Sequence, residues 1–164
     1  MSEDSNLIDG YSLERQYAWE LFTEIVTRVS VEGNHPDHFD FDSEILYDSF
    51  TSLHNFLNEA RKIMRQIPVE SIDLYVDNNL GYWAYDLLKN VIRPFIEKWE
   101  VKYRFWWENK SNKLLPPLER QKFYPEVREL ILDWGCVRRD IQGMKEWIRD
   151  THNFTNLCFD SGAP

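Results

Sequence analysis

Residues 125–149, PEVRELILDWGCVRRDIQGMKEWIR, indicate the fold class of this chain. Apolar side chains recur in this stretch at alternating spacings of three and four residues: Val127, Leu130, Trp134, Val137, Ile141, Met144 and Ile148. This heptad spacing places them on one stripe of an α-helix, the pattern by which helices pack side by side. The stretch therefore predicts a long amphipathic helix. Gly135 and Gly143 inside it point to a close approach of a neighbouring helix.

Three other segments also have helical periodicity. Residues 46–67 have the same alternation, carried by Leu46, Phe50, Leu53, Leu57, Ala60, Met64 and Ile67. Residues 12–31 place apolar side chains on every fourth position, with Ser12 as a possible N-cap. The remaining helix begins near Leu80 and contains Pro94, which removes a backbone hydrogen bond and predicts a kink. That helix either ends near Trp99 or continues to Trp107.

Four long amphipathic helices predict an all-α fold, an up-down four-helix bundle with a Pro-kinked third helix. The bundle is assigned to residues 12–152, between a flexible N-terminus at residues 1–11 and a flexible tail at residues 153–164. A short apolar alternation at residues 69–79 has no partner strand, so it predicts no sheet.

The composition excludes several protein classes. Aromatic residues make up 15% of the 164 residues, which argues against disorder, and no run of about 18 apolar residues predicts a membrane span. The first residues lack the basic-then-apolar plan of a signal peptide, and two cysteines are too few for a disulfide scaffold. We therefore expect a cytoplasmic protein.

The chain is acidic, with a net charge of −9, but the acidity is uneven. Residues 1–82 carry 16 acidic and 5 basic side chains, whereas residues 83–164 carry 12 and 14. A general nucleic-acid coat needs an excess of Lys and Arg, so the first half argues against that class.

Residues 89–123 are locally basic and rich in aromatic rings, and we call them the basic-aromatic arm. Such a mixture is typical of protein interfaces, so we predict partner binding by Arg93, Trp99, Tyr103, Arg104, Trp106 and Trp107. Single-stranded nucleic acid and a membrane surface are the alternatives for this arm. Phe105 and the two following rings splay over about 200° of a helix, so at least one ring is a candidate for exposure.

Candidate metal ligands cluster in one loop, where His35, His38 and Asp40 lie close together in sequence. The loop has no second cluster to complete a site, so a solvated acidic loop is the favoured interpretation and we predict neither metal nor cofactor. Two further enzyme hypotheses are weaker. His54 and His152 could hold a metal inside the bundle, and the Arg28–His35 spacing is typical of helical ribonucleases.

Three stretches together resemble a known group of proteins: Glu20–Arg28, Leu46–Leu53 and Leu87–Trp99. The last contains Asn90, then Arg93-Pro94-Phe95, then Lys98-Trp99, and it resembles a segment of an uncharacterised bacterial helical-bundle family. The resemblance implies a helical bundle and, loosely, a bacterial signalling or antiphage-defence setting. It implies no catalytic residue.

The favoured interpretation is a non-enzymatic bundle that binds a protein partner or a second copy of itself. The first alternative is a helical-bundle enzyme, either metal-dependent or a ribonuclease. The second alternative is a module that binds nucleic acid or a membrane surface through residues 89–123.

Overall fold

The computed structural model describes residues 3–28, 44–68, 79–109 and 113–154, with side chains from Leu13 onward. Every regular element in these ranges is helical, so the all-α prediction is confirmed. The elements in chain order are α1 (Glu3–Arg28), α2 (Leu46–Met64), α3 (Leu80–Asp86), a π-helical segment (Leu87–Ile92), α4 (Arg93–Glu108), α5 (Pro117–Gln121) and α6 (Val127–Thr151). No helix in the described part of the chain is long and apolar enough to cross a membrane.

Both ends of the predicted bundle extend further than expected. The first helix begins at Glu3, so Ser12 lies inside it, where a serine costs only about 0.5 kcal/mol. At the other end, Asn153 adopts a left-handed conformation with φ of 56° and Phe154 is buried. The core therefore includes one residue that the sequence assigned to the tail. The apolar alternation at residues 69–79 lies, except for its last residue, outside the described ranges.

The two predicted heptad stripes form the buried faces of α2 and α6. In α6, every stripe residue after Val127 is buried. In α2, the stripe is buried from Leu46 to Ala60, and Met64 and Ile67 are partly buried against the core. The spacing of apolar residues thus located these faces correctly because side-chain periodicity follows directly from helix geometry.

The helices pack around one hydrophobic core. Helix α1 contacts α2 and α6, and both of these contact α4. Helix α3 and the π-helical segment also contact α2 and α6. Phe50 of α2 stacks on Phe95 of α4 with ring centroids 5.5 Å apart, and Phe95 stacks on Trp134 of α6 at 5.4 Å. Stacked rings thus connect three helices through the centre of the molecule.

The helix that contains Pro94 is continuous from Leu80 to Glu108, which answers the question of whether it ends near Trp99. A wide turn precedes the proline, and in it the Arg93 N–H donates to the Leu88 carbonyl, five residues back. Pro94 has no N–H, so the regular hydrogen-bond pattern is interrupted at this point by the sequence itself. The kink at Pro94 stays a prediction. Single π-helical turns are frequent at functional sites.

The connection before α6 fixes the start of α2 from a distance. Gln121 is fully buried, and its Nε2 donates to the Glu44 carbonyl at 2.7 Å while its Oε1 accepts from the Leu46 N–H at 3.0 Å. Ile45, at the N-cap position, has no side-chain cap of its own. Gln121 therefore satisfies a backbone donor that would otherwise lack a partner at this helix end.

Candidate interaction surface

Trp99, one of the predicted partner-binding residues, lies in the core. Its indole is fully buried, and Nε1 donates to Asp133 Oδ2 at 2.8 Å. The ammonium groups of Lys98 and Lys102 lie 4.7 and 4.0 Å from the ring centroid, within cation–π range. The ring joins α4 to α6 and offers no surface to a partner in this conformation.

Tyr103, Trp106 and Trp107 belong to an aromatic cluster at the C-terminal end of α4. Tyr103 is fully buried, whereas the two indoles are partly buried against the core. The ring of Tyr103 lies 5.0 Å from that of Tyr124, edge to face, and Tyr47 stacks on Trp107 at 5.9 Å. These rings cover one end of the core, so part of the basic-aromatic arm packs within the chain.

Arg120 enters the same cluster, and sequence reasoning did not single it out. Its guanidinium is buried and lies 4.1 Å from the Trp107 ring and 5.9 Å from the Trp106 ring. Its Nε and Nη2 atoms make no hydrogen bond to the described residues. Cation–π contacts with the two indole rings therefore stabilise this buried charge. Burial raises the pKa of the nearby Tyr103 phenol, which keeps that group neutral.

Arg93 and Arg104 are both engaged within the chain. Arg93 is exposed, and its Nε donates to Glu97 at 2.6 Å, one turn along α4. Arg104 donates to Glu100 at 2.7 Å and to the Thr51 hydroxyl at 3.0 Å. Both guanidinium groups that were predicted to bind a partner therefore bind side chains of this chain. Partner binding itself stays a prediction.

Phe105 is the ring that faces water, which confirms that the three neighbouring aromatics cannot all be buried. Its side chain is 78% exposed, and so is that of Val101, one turn earlier in α4. Neither residue was among those predicted to bind a partner. The signal that could have found Phe105 is the spacing, because the buried stripe runs through Trp99 and Tyr103 and leaves Phe105 outside it.

The continuous helix Leu80–Glu108 packs along α6, and we call this contact line the seam. Ion pairs close the seam at one end, where Lys98 bonds Glu129 and Asp133, each at 2.8 Å, and Lys102 pairs with Glu126. Burial opposes ionisation of Asp133, but hydrogen bonds from Lys98 and the neighbouring indole outweigh it and hold the pKa of Asp133 below its usual value.

The other end of the seam is open. A cavity of about 420 Å³ is lined mainly by apolar side chains: Trp83, Leu87, Val91, Met144 and Trp147. A second cavity of about 260 Å³ lies between Pro94 and Val137. Both cavities are bordered by Val91 and Asp140, so they adjoin, and we call the pair the furrow.

Gly143 helps to keep the furrow open. A Cβ atom added there would meet no atom of a neighbouring element within 4 Å. The prediction that this glycine marks a close approach of another helix is therefore wrong. The absent side chain leaves space between α6 and the π-helical segment, and the same position offers a direct way to fill that space by substitution.

The edge of the furrow carries charge. Asp86 accepts a hydrogen bond from Asn90 Nδ2 at 2.7 Å. Asp140 lies where the two cavities meet, and its carboxylate pairs with no other described residue. Arg139 borders the larger cavity, and the ion pair of Lys98 with Asp133 borders the smaller one, so the edge holds three carboxylates and two cationic groups. The furrow is thus an apolar groove with a slightly acidic edge.

Among the described residues, no group of three His, Cys, Asp or Glu side chains could hold a metal ion. His35, His38 and Asp40 lie outside the described ranges, so the loop hypothesis stays untested. His54 pairs with a carboxylate of α4. His152 is buried, and burial lowers the pKa of its ring, whose nitrogens have no hydrogen-bond partner in the described part of the chain.

Comparison of the chain with protein-family models, with curated proteins and with solved structures gave no match. The geometry of the seam and of the surfaces beside it is therefore the basis for a function of this chain.

Proposed function

We propose that this chain is a non-enzymatic protein–protein interaction module that acts in the cytoplasm. The observation that carries the proposal is the exposure of Val101 and Phe105, two large apolar side chains one turn apart on α4. Burying such side chains in an interface removes apolar surface from water, at about 25 cal/mol per Å². Apolar surface that is grouped rather than scattered marks interaction sites.

The exposed pair and the furrow lie along the same line. Pro94, Lys98, Val101 and Phe105 are spaced by four, three and four residues, so they share one face of α4. Pro94 and Lys98 border the smaller cavity of the furrow. The face from Trp83 to Phe105, which is apolar except at Lys98, is therefore about 30 Å long, and that is long enough for a protein partner.

The charges of the basic-aromatic arm favour a protein over a nucleic acid. Most basic side chains of the described part of the arm already meet acidic ones: Arg93 with Glu97, Lys98 with Glu129, Lys102 with Glu126, Arg104 with Glu100, and Lys122 with Glu119. Phosphate binding requires cations that are free to replace counterions. The arm has few of these to offer, whereas its exposed apolar side chains remain available.

The up-down four-helix bundle, with its kink at Pro94, belongs to the same proposal. Its support is the cycle of contacts in which α1 touches α2 and α6 and both touch α4. A bacterial signalling or defence setting rests only on the resemblance of three short stretches, and it stays a prediction.

The proposal is tested by replacing Val101 and Phe105 with serine and repeating partner capture from a lysate of the source organism. We expect a partner retained by the wild-type chain to be lost from the double variant, and any concentration-dependent self-association in sedimentation velocity to disappear. Circular dichroism should show unchanged helicity because both side chains are exposed.

The matched control is Leu132→Ser, which removes an exposed apolar side chain from α6. The partner should remain bound to this variant. If the double variant and the wild-type chain capture the same proteins in equal amounts and associate equally, the exposed pair on α4 is not an interface and the proposal is wrong.

A further inference from the structure

We propose that the furrow binds an amphipathic helix of a protein partner, with bulky apolar residues at positions i and i+7 and a Lys or Arg between them. This inference rests on the proposed function and names the partner chemistry for the open end of the seam. Helices that bind in grooves are typically recognised through side chains at i, i+3, i+4 and i+7.

The spacing of the two cavities sets the spacing of the apolar anchors. Val137 borders the smaller cavity and Met144 the larger one, and they lie seven residues apart on α6. Seven helical residues span about 10 Å. A ligand helix lying along α6 has its i and i+7 side chains separated by the same distance on one face, so each can enter one cavity.

Asp140 sets the position of the basic residue. It borders both cavities, midway between Val137 and Met144 along α6. On the ligand helix the matching positions are i+3 and i+4, between the two apolar anchors. A Lys or Arg there can pair with the Asp140 carboxylate, which pairs with no other described residue, and the slightly acidic edge adds to the attraction.

Two stretches of the chain adjoin α3 and the described end of the chain in sequence, and neither has a basic residue to match Asp140. Residues 69–78, which precede α3, carry three acidic residues and no Lys or Arg. Residues 155–164, which follow the described end of the chain, carry one Asp and no Lys or Arg. Neither segment has the charge that complements Asp140, so a separate protein is the occupant that the charges favour.

The test is a display library of helical peptides of about 20 residues, a length that supports helix formation, randomised at i, i+3, i+4 and i+7 and selected against the full chain. We expect enriched peptides to carry large apolar residues at i and i+7 and a Lys or Arg at i+3 or i+4. Fluorescence anisotropy with a selected peptide should show that Gly143→Leu weakens binding at least about tenfold, because the new side chain projects into the larger cavity and competes with the peptide's apolar anchor.

Two further variants separate the charge from the shape of the furrow. Asp140→Lys should weaken binding of the same peptide. A peptide whose basic residue is replaced by Glu should bind this variant more tightly than the original peptide does. Gln142→Leu places the same leucine side chain one residue away from Gly143 but outside the cavity lining, and this variant should bind the peptide as the wild-type chain does.

Several outcomes overturn the inference. Selected peptides without apolar i and i+7 residues, or peptides that bind Gly143→Leu as tightly as the wild-type chain, show that the furrow is not the binding site. A dimer of the chain that Gly143→Leu dissociates identifies a second copy as the occupant. A variant ending at Phe154 that binds the peptide about tenfold more tightly shows that the chain's own last residues cover the furrow.

The two proposals fail in different ways. If Val101 and Phe105 prove not to bind a partner, direct peptide binding at the furrow still decides this inference. If the library yields no helix of the expected kind while the double serine variant loses its partner, the interaction module stands and only the partner chemistry is wrong.

Discussion

The two ends of the seam are formed by the same two helices but differ in what lies between them. At the closed end, the buried indole of Trp99 donates to Asp133, and lysine side chains pair across to carboxylates of α6. At the open end, Trp83 and Trp147 line a cavity, with ring centroids 6.0 Å apart. One end therefore packs across the seam, and the other leaves a cavity between the helices.

Side-chain length explains much of this difference. Lysines on α4 are long enough to reach acidic residues of α6, so they close the gap between the helices. Around the open end the continuous helix places the shorter apolar side chains of Leu87 and Val91 at the cavity, and Gly143 on α6 has no side chain. Leu87 and Val91 belong to the π-helical segment, which lies against α6.

The largest expected effect comes from the two tryptophans at opposite ends of the seam. Trp99→Ala should lower the free energy of unfolding by about 3–5 kcal/mol and the melting temperature by about 10 °C, because it removes a fully buried indole and leaves a cavity. Trp83→Ala should cost less than about 2 kcal/mol, because its ring is already 37% exposed. Urea unfolding of both variants measures the difference.

Equal losses from the two substitutions would contradict this contrast. They would show that Trp83 is as important to the core as Trp99, and that the furrow is part of the packed interior rather than a binding surface.

The sequence predicted the buried faces of the helices well, and the reason is physical. Heptad spacing records which side of a helix is apolar, whatever that side packs against, so the stripes from Leu46 and from Leu130 were correct. The cap that Gln121 provides for α2 was not predictable in this way, because it joins residues 75 positions apart in the chain.

The surface was predicted less well, because residue type alone does not give orientation. The basic-aromatic arm was recognised, but Trp99 and Tyr103 continue the buried stripe and Phe105 does not. Gly143 was recognised as unusual, but it was predicted to mark a close approach of another helix, whereas it borders an open cavity. The furrow depends on two segments that are distant in sequence, so no local pattern could reveal it.

A smaller effect is expected from pH at the closed end. The pKa of Asp133 lies below its ordinary value of 3.8, so its contribution to stability is complete at neutral pH. As the pH falls from about 5, the unfolded chain binds the proton first, and this contribution is lost. Asp133→Asn should therefore lower stability at pH 7 by about 1 kcal/mol and make its fall between pH 5 and 3 shallower.

Asp140→Asn at the open end is the matched control for this measurement. Its carboxylate pairs with no other described residue, so its loss should change stability at pH 7 by less than about 0.5 kcal/mol. Thermal melts of both variants at several pH values test the pair. An Asp133→Asn variant with the wild-type pH dependence would show that the closed end is not held by this carboxylate.

The smallest effect comes from adding a single methyl group at the open end. Gly143→Ala should raise the free energy of unfolding by about 0.4–1 kcal/mol, because alanine restricts the unfolded chain and its Cβ meets only open space in the folded one. A loss of stability would mean that the two helices close on Gly143 in solution. The sign of this change therefore distinguishes an open furrow from a closed one without any ligand. Because one methyl group occupies little of a cavity of about 420 Å³, the same variant should still bind a selected peptide that Gly143→Leu rejects.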